Sequence, residues 1–142
     1  MILYLDTSAL VKAYVREKSS KEIILAMQNC DPVATHLIAF VEAHAAFSRL
    51  IREKKINQKE HESIKSAFIN DWENYMQIEN NKQLLEQAAD FSDAFSLRAY
   101  DSMHLAAATL LFRQSKQPLL FACFDQHLNK AAKILGLDLL VI

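Results

Sequence analysis

The sequence predicts an α/β fold in which a mainly parallel sheet of four to five strands lies between two layers of helices. Short apolar runs alternate with longer segments of helical periodicity, an alternation typical of a parallel sheet. The chain has 142 residues, enough for one domain with its own core. We therefore expect a single three-layer α/β/α domain over residues 1–142.

The first predicted element is a strand over Ile2–Leu5, because a continuous apolar run suits a strand that is buried on both faces. Helical periodicity and capping residues then predict four elements up to residue 54. They are a helix over Ala9–Arg16, a helix from a Ser19 or Ser20 cap to about Asn29, a short strand over Pro32–Thr35, and a long helix over Leu37–Lys54.

Helices dominate the middle of the chain. Asn57 is a predicted cap for a helix with an apolar stripe at helical spacing, which is interpreted as core or as a partner-binding surface. The stripe consists of Ile64, Phe68, Trp72 and Tyr75. After a break near Asn80 and Asn81, another helix is expected to run to about Ala99.

The last third of the chain has four predicted elements. They are a helix from Asp101, a strand over Leu119–Phe124, a helix from Asp125, and a strand over Leu137–Ile142. Gly136 follows Ala131–Leu135 at the position of a left-handed helix cap, which marks the end of the last helix.

Composition excludes several classes of function and indicates a compartment. A single glycine leaves no phosphate-binding loop and no dinucleotide-binding fingerprint. The 16 basic and 17 acidic residues give no overall cationic surface, although a local basic face stays possible. Cys30 and Cys123 are expected to be reduced thiols, and the first residues resemble neither a signal peptide nor a membrane anchor. We expect a cytoplasmic protein without a membrane partner.

Four acidic residues, Asp6, Glu42, Asp101 and Asp125, each adjoin an apolar stretch. Any one aspartate of the set could be a helix N-cap, and Glu42 could be exposed or paired with a remote residue. Asp6 and Asp125, however, follow strands that could be neighbours, at the sheet edge where α/β proteins bind ligands. Four converging carboxylates would repel one another unless a cation neutralised them, and oxygen ligands favour Mg²⁺ or Mn²⁺ over zinc.

Four blocks of sequence resemble the PIN-domain ribonucleases, in particular the VapC-like toxins of bacterial toxin-antitoxin pairs. The blocks occur in the family's order with fitting separations. They are Leu3–Lys12 around Asp6, Glu42 with Ala45–Phe47 and Arg49, Leu97–Ala108 around Asp101, and Phe124–Leu128 with Ala131, Ala132, Gly136 and Leu137. Departures are mild: Ser102 stands where the family usually has Ala, His36 where it often has Ser, and Cys123 where it often has Thr or Ser.

The resemblance implies a PIN fold and a Mg²⁺-dependent endoribonuclease, with Mn²⁺ able to substitute. Asp6, Glu42, Asp101 and Asp125 would form its catalytic and metal-binding quartet. We expect Asp6 and Asp101 to be the principal ligands and Glu42 and Asp125 to contact the metal, its water or a second cation. The hydroxyls of Thr7 and Ser8 would orient Asp6, or would simply open the first helix.

The expected partners are RNA, a second copy of the chain, and a VapB-like antitoxin whose tail blocks a groove near the site. Lys12, Arg16 and Arg49 are candidates for phosphate contact. For Arg49 and its neighbours Arg52, Lys54 and Lys55, complementing the dipole at a helix C-terminus is the alternative. The helix pair over residues 37–75 is the candidate wall of the groove. His104 is interpreted as a packing or hydrogen-bonding residue and is left out of the metal ligands.

Two other functions stay open at this point. A catalytically inactive PIN-like module would bind RNA or protein without cleaving it. Another Mg²⁺-dependent phosphoryl-transfer enzyme, such as an aspartyl-phosphate phosphatase, is less favoured, because that chemistry needs an aspartate where this chain has Ser8.

Overall fold

The computed structural model describes residues 1–140, and within that range it contains seven helices and five strands. In chain order they are β1 (Ile2–Leu5), α1 (Thr7–Val11), α2 (Ser20–Asn29), β2 (Val33–His36), α3 (Ile38–Arg52), α4 (Gln58–Trp72), β3 (Met76–Ile78), α5 (Lys82–Phe95), α6 (Ala99–Ser115), β4 (Leu119–Ala122), α7 (Gln126–Ile134) and β5 (Asp138–Leu139).

The strands form one sheet in the order β3-β2-β1-β4-β5, and every neighbouring pair is parallel. The central strand is β1, in which Tyr4 lies beside Ala34 of β2 and Phe121 of β4. Chain order therefore reverses direction across the sheet on either side of β1, a feature that marks a ligand-binding crevice in open α/β sheets.

Successive β1 side chains point to opposite faces of the sheet and pack in two separate apolar clusters. Ile2 and Tyr4 pack with residues of α5, α6 and α7. Leu3 and Leu5 pack with residues of α1, α2, α3 and α4. All four side chains are buried, which explains the unbroken apolar run, and the predicted three-layer α/β/α fold is confirmed.

Several predicted boundaries are wrong. Helix α1 ends at Val11 rather than Arg16, since the backbone tightens there into hydrogen bonds from Lys12 to Ala9 and from Ala13 to Leu10. Strand β3 was not predicted, because three residues at a sheet edge carry no clear alternation. Helix α5 ends at Phe95, and α6 begins at Ala99, before Asp101.

Most of the predicted helix-end signals are confirmed. Asn57 accepts a hydrogen bond from the Glu60 amide while Glu60 accepts one from the Asn57 amide, which is a capping box. Gly136 has φ of +88°, and the amides of Gly136 and Leu137 bond back into the end of α7. Ser19 occupies the cap position of α2 without a side-chain capping bond.

The apolar stripe of α4 belongs largely to the core. Phe68 and Trp72 are buried, as is Tyr75 just beyond the helix, and Ile64 packs partly buried against the same cluster. The core interpretation of this stripe is therefore confirmed. Both cysteines are free and buried.

The predicted last strand is shorter in the structure, where β5 covers Asp138–Leu139 and Leu140 follows it. Residues 141–142 of the prediction lie outside the described residues. Across residues 1–140, no helix combines the length and the apolar character needed to span a membrane.

Candidate active site

Asp6 and Asp125 lie at the carboxyl ends of the adjacent strands β1 and β4. Each is the N-cap of the helix that follows: Asp6 accepts from the Ala9 amide, and Asp125 accepts from the amides of His127 and Leu128. Both interpretations are therefore correct for these two acids: each caps a helix, and each lies at the end of a strand. Asp101 is no cap, because it lies in the first turn of α6 and Arg98 holds the cap position.

Asp6 is buried, with only 4% of its surface exposed. Its Oδ1 accepts hydrogen bonds from the Ser8 hydroxyl at 2.7 Å and the Ala9 amide at 3.0 Å. Ser8 also accepts from the amide of Phe124, so one hydroxyl connects Asp6 to the chain after β4. Burial raises the pKa of Asp6 above its ordinary value, although His104, Ser8 and Ala9 oppose the rise.

Glu42 projects from α3 and has partners that are distant in sequence. Its Oε1 accepts from the Thr7 hydroxyl at 2.6 Å and lies 2.9 Å from Nε2 of His104. Burial acts to raise the pKa of Glu42, but the hydrogen bonds from His104 and Thr7 outweigh it and leave the pKa below its usual value. Thr7 therefore contacts Glu42, not Asp6 as predicted, whereas Ser8 does contact Asp6.

A guanidinium group lies between the other two acids. Nε of Arg98 is 3.2 Å from Oδ2 of Asp101, and Nη2 of Arg98 is 3.5 Å from Oδ2 of Asp125. The Arg98 side chain is 81% exposed, so each pair contributes roughly 0–1 kcal/mol to stability. Arg98 thus supplies a positive charge between two candidate ligands without being locked in place.

The four acids belong to one neighbourhood, since shared neighbours connect them. Burial and then the charges of Asp6 and Glu42 raise the pKa of Tyr4, and Arg98 links Asp101 to Asp125. Glu42 and Asp101 line a recess of about 520 Å³ together with Arg98, Ala99 and Tyr100. Cys123 lies between Asp6 and Asp125, where burial and then the charge of Asp6 raise its thiol pKa.

The chemistry of these side chains fits a hard divalent cation. All four are carboxylates, Asp6 just after β1 is buried with a raised pKa, and an exposed arginine pairs with Asp101 and Asp125. However, the acids do not form a closed coordination site. Within residues 1–140, no group of three or more His, Cys, Asp or Glu side chains is close enough together to hold an ion.

The predicted phosphate-binding residues are dispersed. The Lys12 ammonium pairs with Glu17 at 3.3 Å and lies 4.5 Å from the centre of the Phe124 ring. Arg16 lines a separate cavity of about 700 Å³, and Arg49 pairs with Glu53. Neither arginine lines the recess that Glu42 and Asp101 share.

Sequence reasoning missed Tyr4 and Arg98. A tyrosine within a buried strand needs a partner for its hydroxyl, which was an available signal for Tyr4. Arg98 precedes Asp101 by three residues, the spacing at which side chains meet on a helix. His104 makes the ordinary hydrogen bonds that were expected of it, but its partner Glu42 could not be inferred from sequence.

The parallel sheet with helices on both faces makes this an α/β protein, and the acids lie at the carboxyl edge of the sheet, where such proteins bind ligands. The PIN domain family matches residues 3–134, nearly the whole chain. This chain belongs to the PIN-domain family.

The chain is similar to a protein named Ribonuclease VapC45 from Mycobacterium tuberculosis, with 24% identity over 135 residues that cover 95% of this chain and 92% of the relative. Among solved structures, FitAcB from Neisseria gonorrhoeae is similar with a TM-score of 0.68 and 14% identity, covering 99% of this chain and 97% of that one. A toxin-antitoxin complex from Klebsiella pneumoniae is similar with a TM-score of 0.56 and 15% identity, covering 83% of each chain. At these identities, the structural similarities establish the shared fold.

Proposed function

We propose that this protein is a Mg²⁺-dependent endoribonuclease that hydrolyses RNA phosphodiester bonds and acts as the toxin of a toxin-antitoxin pair. The observation that carries the proposal is the neighbourhood of Asp6, Glu42, Asp101 and Asp125 at the carboxyl edge of a PIN-domain sheet. The similarity to a protein named as a ribonuclease over nearly its whole length supports the same activity.

Asp6 and Asp101 would hold the cation directly, and Glu42 and Asp125 would complete the acidic set. When bound, Mg²⁺ supplies an activated water at neutral pH and a counter-charge for the phosphate under attack. Glu42 has a lowered pKa, so it stays ionised at neutral pH and serves as an anionic contact rather than as a proton donor. Ser8 and the Ala9 amide orient Asp6, and Thr7 orients Glu42.

The RNA backbone needs positive charge beside these acids. Arg98 is the candidate whose side chain already lines the recess, and its exposed guanidinium can donate hydrogen bonds to a phosphate. Lys12, whose ammonium lies over the Phe124 ring, is a second candidate. Arg16 and Arg49 are weaker candidates for phosphate contact, because their neighbours lie outside the recess.

The partner proposal is a homodimer that a VapB-like antitoxin inhibits. The similarity to a toxin-antitoxin complex supports it. Helices α3 and α4 carry the exposed apolar side chains Val41 and Ile69 on the segment proposed as the groove wall. Co-expression with the reading frame next to this gene would test the pair: growth arrest without it and recovery with it are expected.

The nuclease proposal is tested by incubating purified protein with RNA in Mg²⁺ or Mn²⁺ and mapping the new 5′ ends. Cleavage is expected for the wild type and for Asp90→Asn, which changes an exposed acid on α5. Asp6→Asn and Asp101→Asn are expected to lose both cleavage and Mn²⁺ binding. Full activity in both of these variants would overturn the assignment.

A second candidate function is an inactive module that binds RNA or protein. One observation favours it: in the described part of the chain the acids are not gathered closely enough to hold an ion. The same assay separates the two functions, because the inactive module would bind RNA and cleave none with either metal present.

A further inference from the structure

His104 is a buried histidine to which the proposed chemistry assigns no role. It lies on α6, one turn after Asp101, and only 2% of its surface is exposed. Both ring nitrogens have partners from other elements: Nδ1 lies 2.9 Å from the Tyr4 hydroxyl, and Nε2 lies 2.9 Å from Oε1 of Glu42. Nε2 is also 3.1 Å from Oγ1 of Thr7.

The direction of each hydrogen bond in this group follows from counting hydrogens. Thr7 has one hydroxyl hydrogen and donates it to Glu42, so its oxygen can only accept from His104. Oε1 of Glu42 accepts the Thr7 hydrogen and has none of its own to donate, so it also faces Nε2 as an acceptor. Nε2 of His104 therefore carries a hydrogen that faces two acceptors.

The other ring nitrogen is assigned in the same way. Within residues 1–140, Nδ1 of His104 is the one side-chain hydrogen-bond partner of the buried Tyr4 hydroxyl. If Nδ1 carried a hydrogen, the Tyr4 hydrogen would have no acceptor, at the cost of an unsatisfied buried donor. Tyr4 therefore donates to Nδ1, and Nε2–H donates to Glu42, in one chain of hydrogen bonds.

Packing holds the imidazole ring in place for this contact. The Tyr4 ring stacks on Phe121 with centroids 5.8 Å apart and meets the His104 ring edge-on at 5.9 Å. The ring of His36 also meets the His104 ring edge-on, with centroids 6.1 Å apart. Because the central strand fixes Tyr4, the orientation of His104 is set by the most buried part of the sheet.

We propose that His104 is a positioning residue that holds the Glu42 carboxylate in its working orientation, with Tyr4 selecting the tautomer that donates to it. This role rests on the proposed nuclease function. Glu42 sits on a different element from Asp6 and Asp101, so a donor anchored to β1 and α6 fixes the distance between α3 and the other acids. Such supporting donors are as much part of an acidic site as its ligands.

Two amide substitutions separate positioning from packing. His104→Gln places an amide N–H near the position of Nε2 and keeps a donor for Glu42, whereas His104→Asn places it near Nδ1 and leaves Glu42 without that donor. Both bury an amide in place of the ring, so they serve as matched controls for stability. We expect His104→Asn to lower the cleavage rate by about 10- to 100-fold, with His104→Gln retaining most activity at a comparable Tm.

The outcomes distinguish this role from the nuclease proposal itself. If the wild type cleaves no RNA, the nuclease proposal fails; if it cleaves and the two variants lose activity equally, the positioning role fails. Should either variant not fold, the ¹⁵N spectrum of the wild-type histidines decides the matter. A hydrogen on Nε2 and none on Nδ1 of His104 is expected, and a hydrogen on Nδ1 overturns the proposal.

Discussion

At the residue scale, the pKa of the Asp6 carboxyl is raised and that of the Glu42 carboxyl is lowered, and their surroundings explain the difference. Asp6 is buried, and burial raises its pKa despite the opposing interactions with His104, Ser8, Ala9 and Cys123. Glu42 is less enclosed and receives two side-chain donors, which lower its pKa despite burial. Neighbouring carboxyl groups whose pKa values are shifted in opposite directions are common at functional sites.

The raised pKa of Asp6 predicts that Asp6→Asn stabilises the metal-free protein at neutral pH while abolishing cleavage. Asparagine caps a helix as well as aspartate does and can accept from Ser8 and Ala9, so the change removes only the buried charge. Because the folded pKa is raised, the cost of Asp6 is absent below the ordinary carboxyl pKa and grows as pH rises through the folded value.

The measurement is Tm against pH in EDTA for the wild type and Asp6→Asn. The variant is expected to have the higher Tm at pH 7, with the two curves converging in acid. Asp90→Asn, at an exposed position, should follow the wild type throughout. A lower Tm for Asp6→Asn at pH 7 would contradict the burial argument.

At the scale of elements, the site depends on helices that begin and end at defined residues. The N-caps of α1 and α7 are themselves two of the acids, so the local folding of each helix start fixes a carboxylate. Helix α7 is also fixed at its other end by Gly136, after which the chain enters β5 beside β4. An altered cap would therefore loosen the segment that carries Asp125.

Gly136→Ala is expected to destabilise the protein by about 1 kcal/mol, because an L-residue with a side chain resists the left-handed conformation. An added Cβ would meet no atom within 4 Å, so the cost is conformational and not steric. Gly136→Asn is the matched control, since asparagine tolerates positive φ better, and it should lose less. Urea unfolding measures both; equal stability of glycine and alanine would show that the cap is unimportant.

For the whole molecule, the sheet brings together acids that lie up to 119 positions apart in sequence, Asp6 and Asp125 being the extremes. Parallel pairing of β1 with β4 aligns their carboxyl ends, and α3 and α6 deliver Glu42 and Asp101 to the same edge. The free energy that gathers these charges comes from the two apolar clusters on either face of the sheet.

Metal binding should therefore stabilise the folded state as a whole. At a concentration of 100 times its dissociation constant, a ligand that binds only the folded protein adds about 2.7 kcal/mol. We expect Mg²⁺ or Mn²⁺ to raise the Tm of the wild type and of Asp90→Asn, and EDTA to reverse the rise. In the Asp6→Asn/Asp101→Asn double variant the increment should vanish; an equal increment there would mean that the ion binds elsewhere.

Local patterns in the sequence determined much of this protein. The apolar run of β1, the Asn57 capping box and the Gly136 cap depend on neighbours within a few residues, so their positions could be predicted. The alternation of elements predicted the parallel sheet, which is confirmed, whereas the grouping of the four acids into one site stays a prediction. The prediction failed for short or irregular segments, such as β3 and the early end of α1, because tertiary packing decides their structure.

Only the tertiary structure decided how the acids are supported. The contact between Glu42 and His104 spans 62 positions, and Tyr4 meets His104 across 100, separations at which no local pattern carries information. Arg98 bridges Asp101 and Asp125 only because α6 and α7 begin at the same sheet edge. Residue types along the chain thus determined which groups could act, and the long-range packing of the sheet and helices decided which partners orient them.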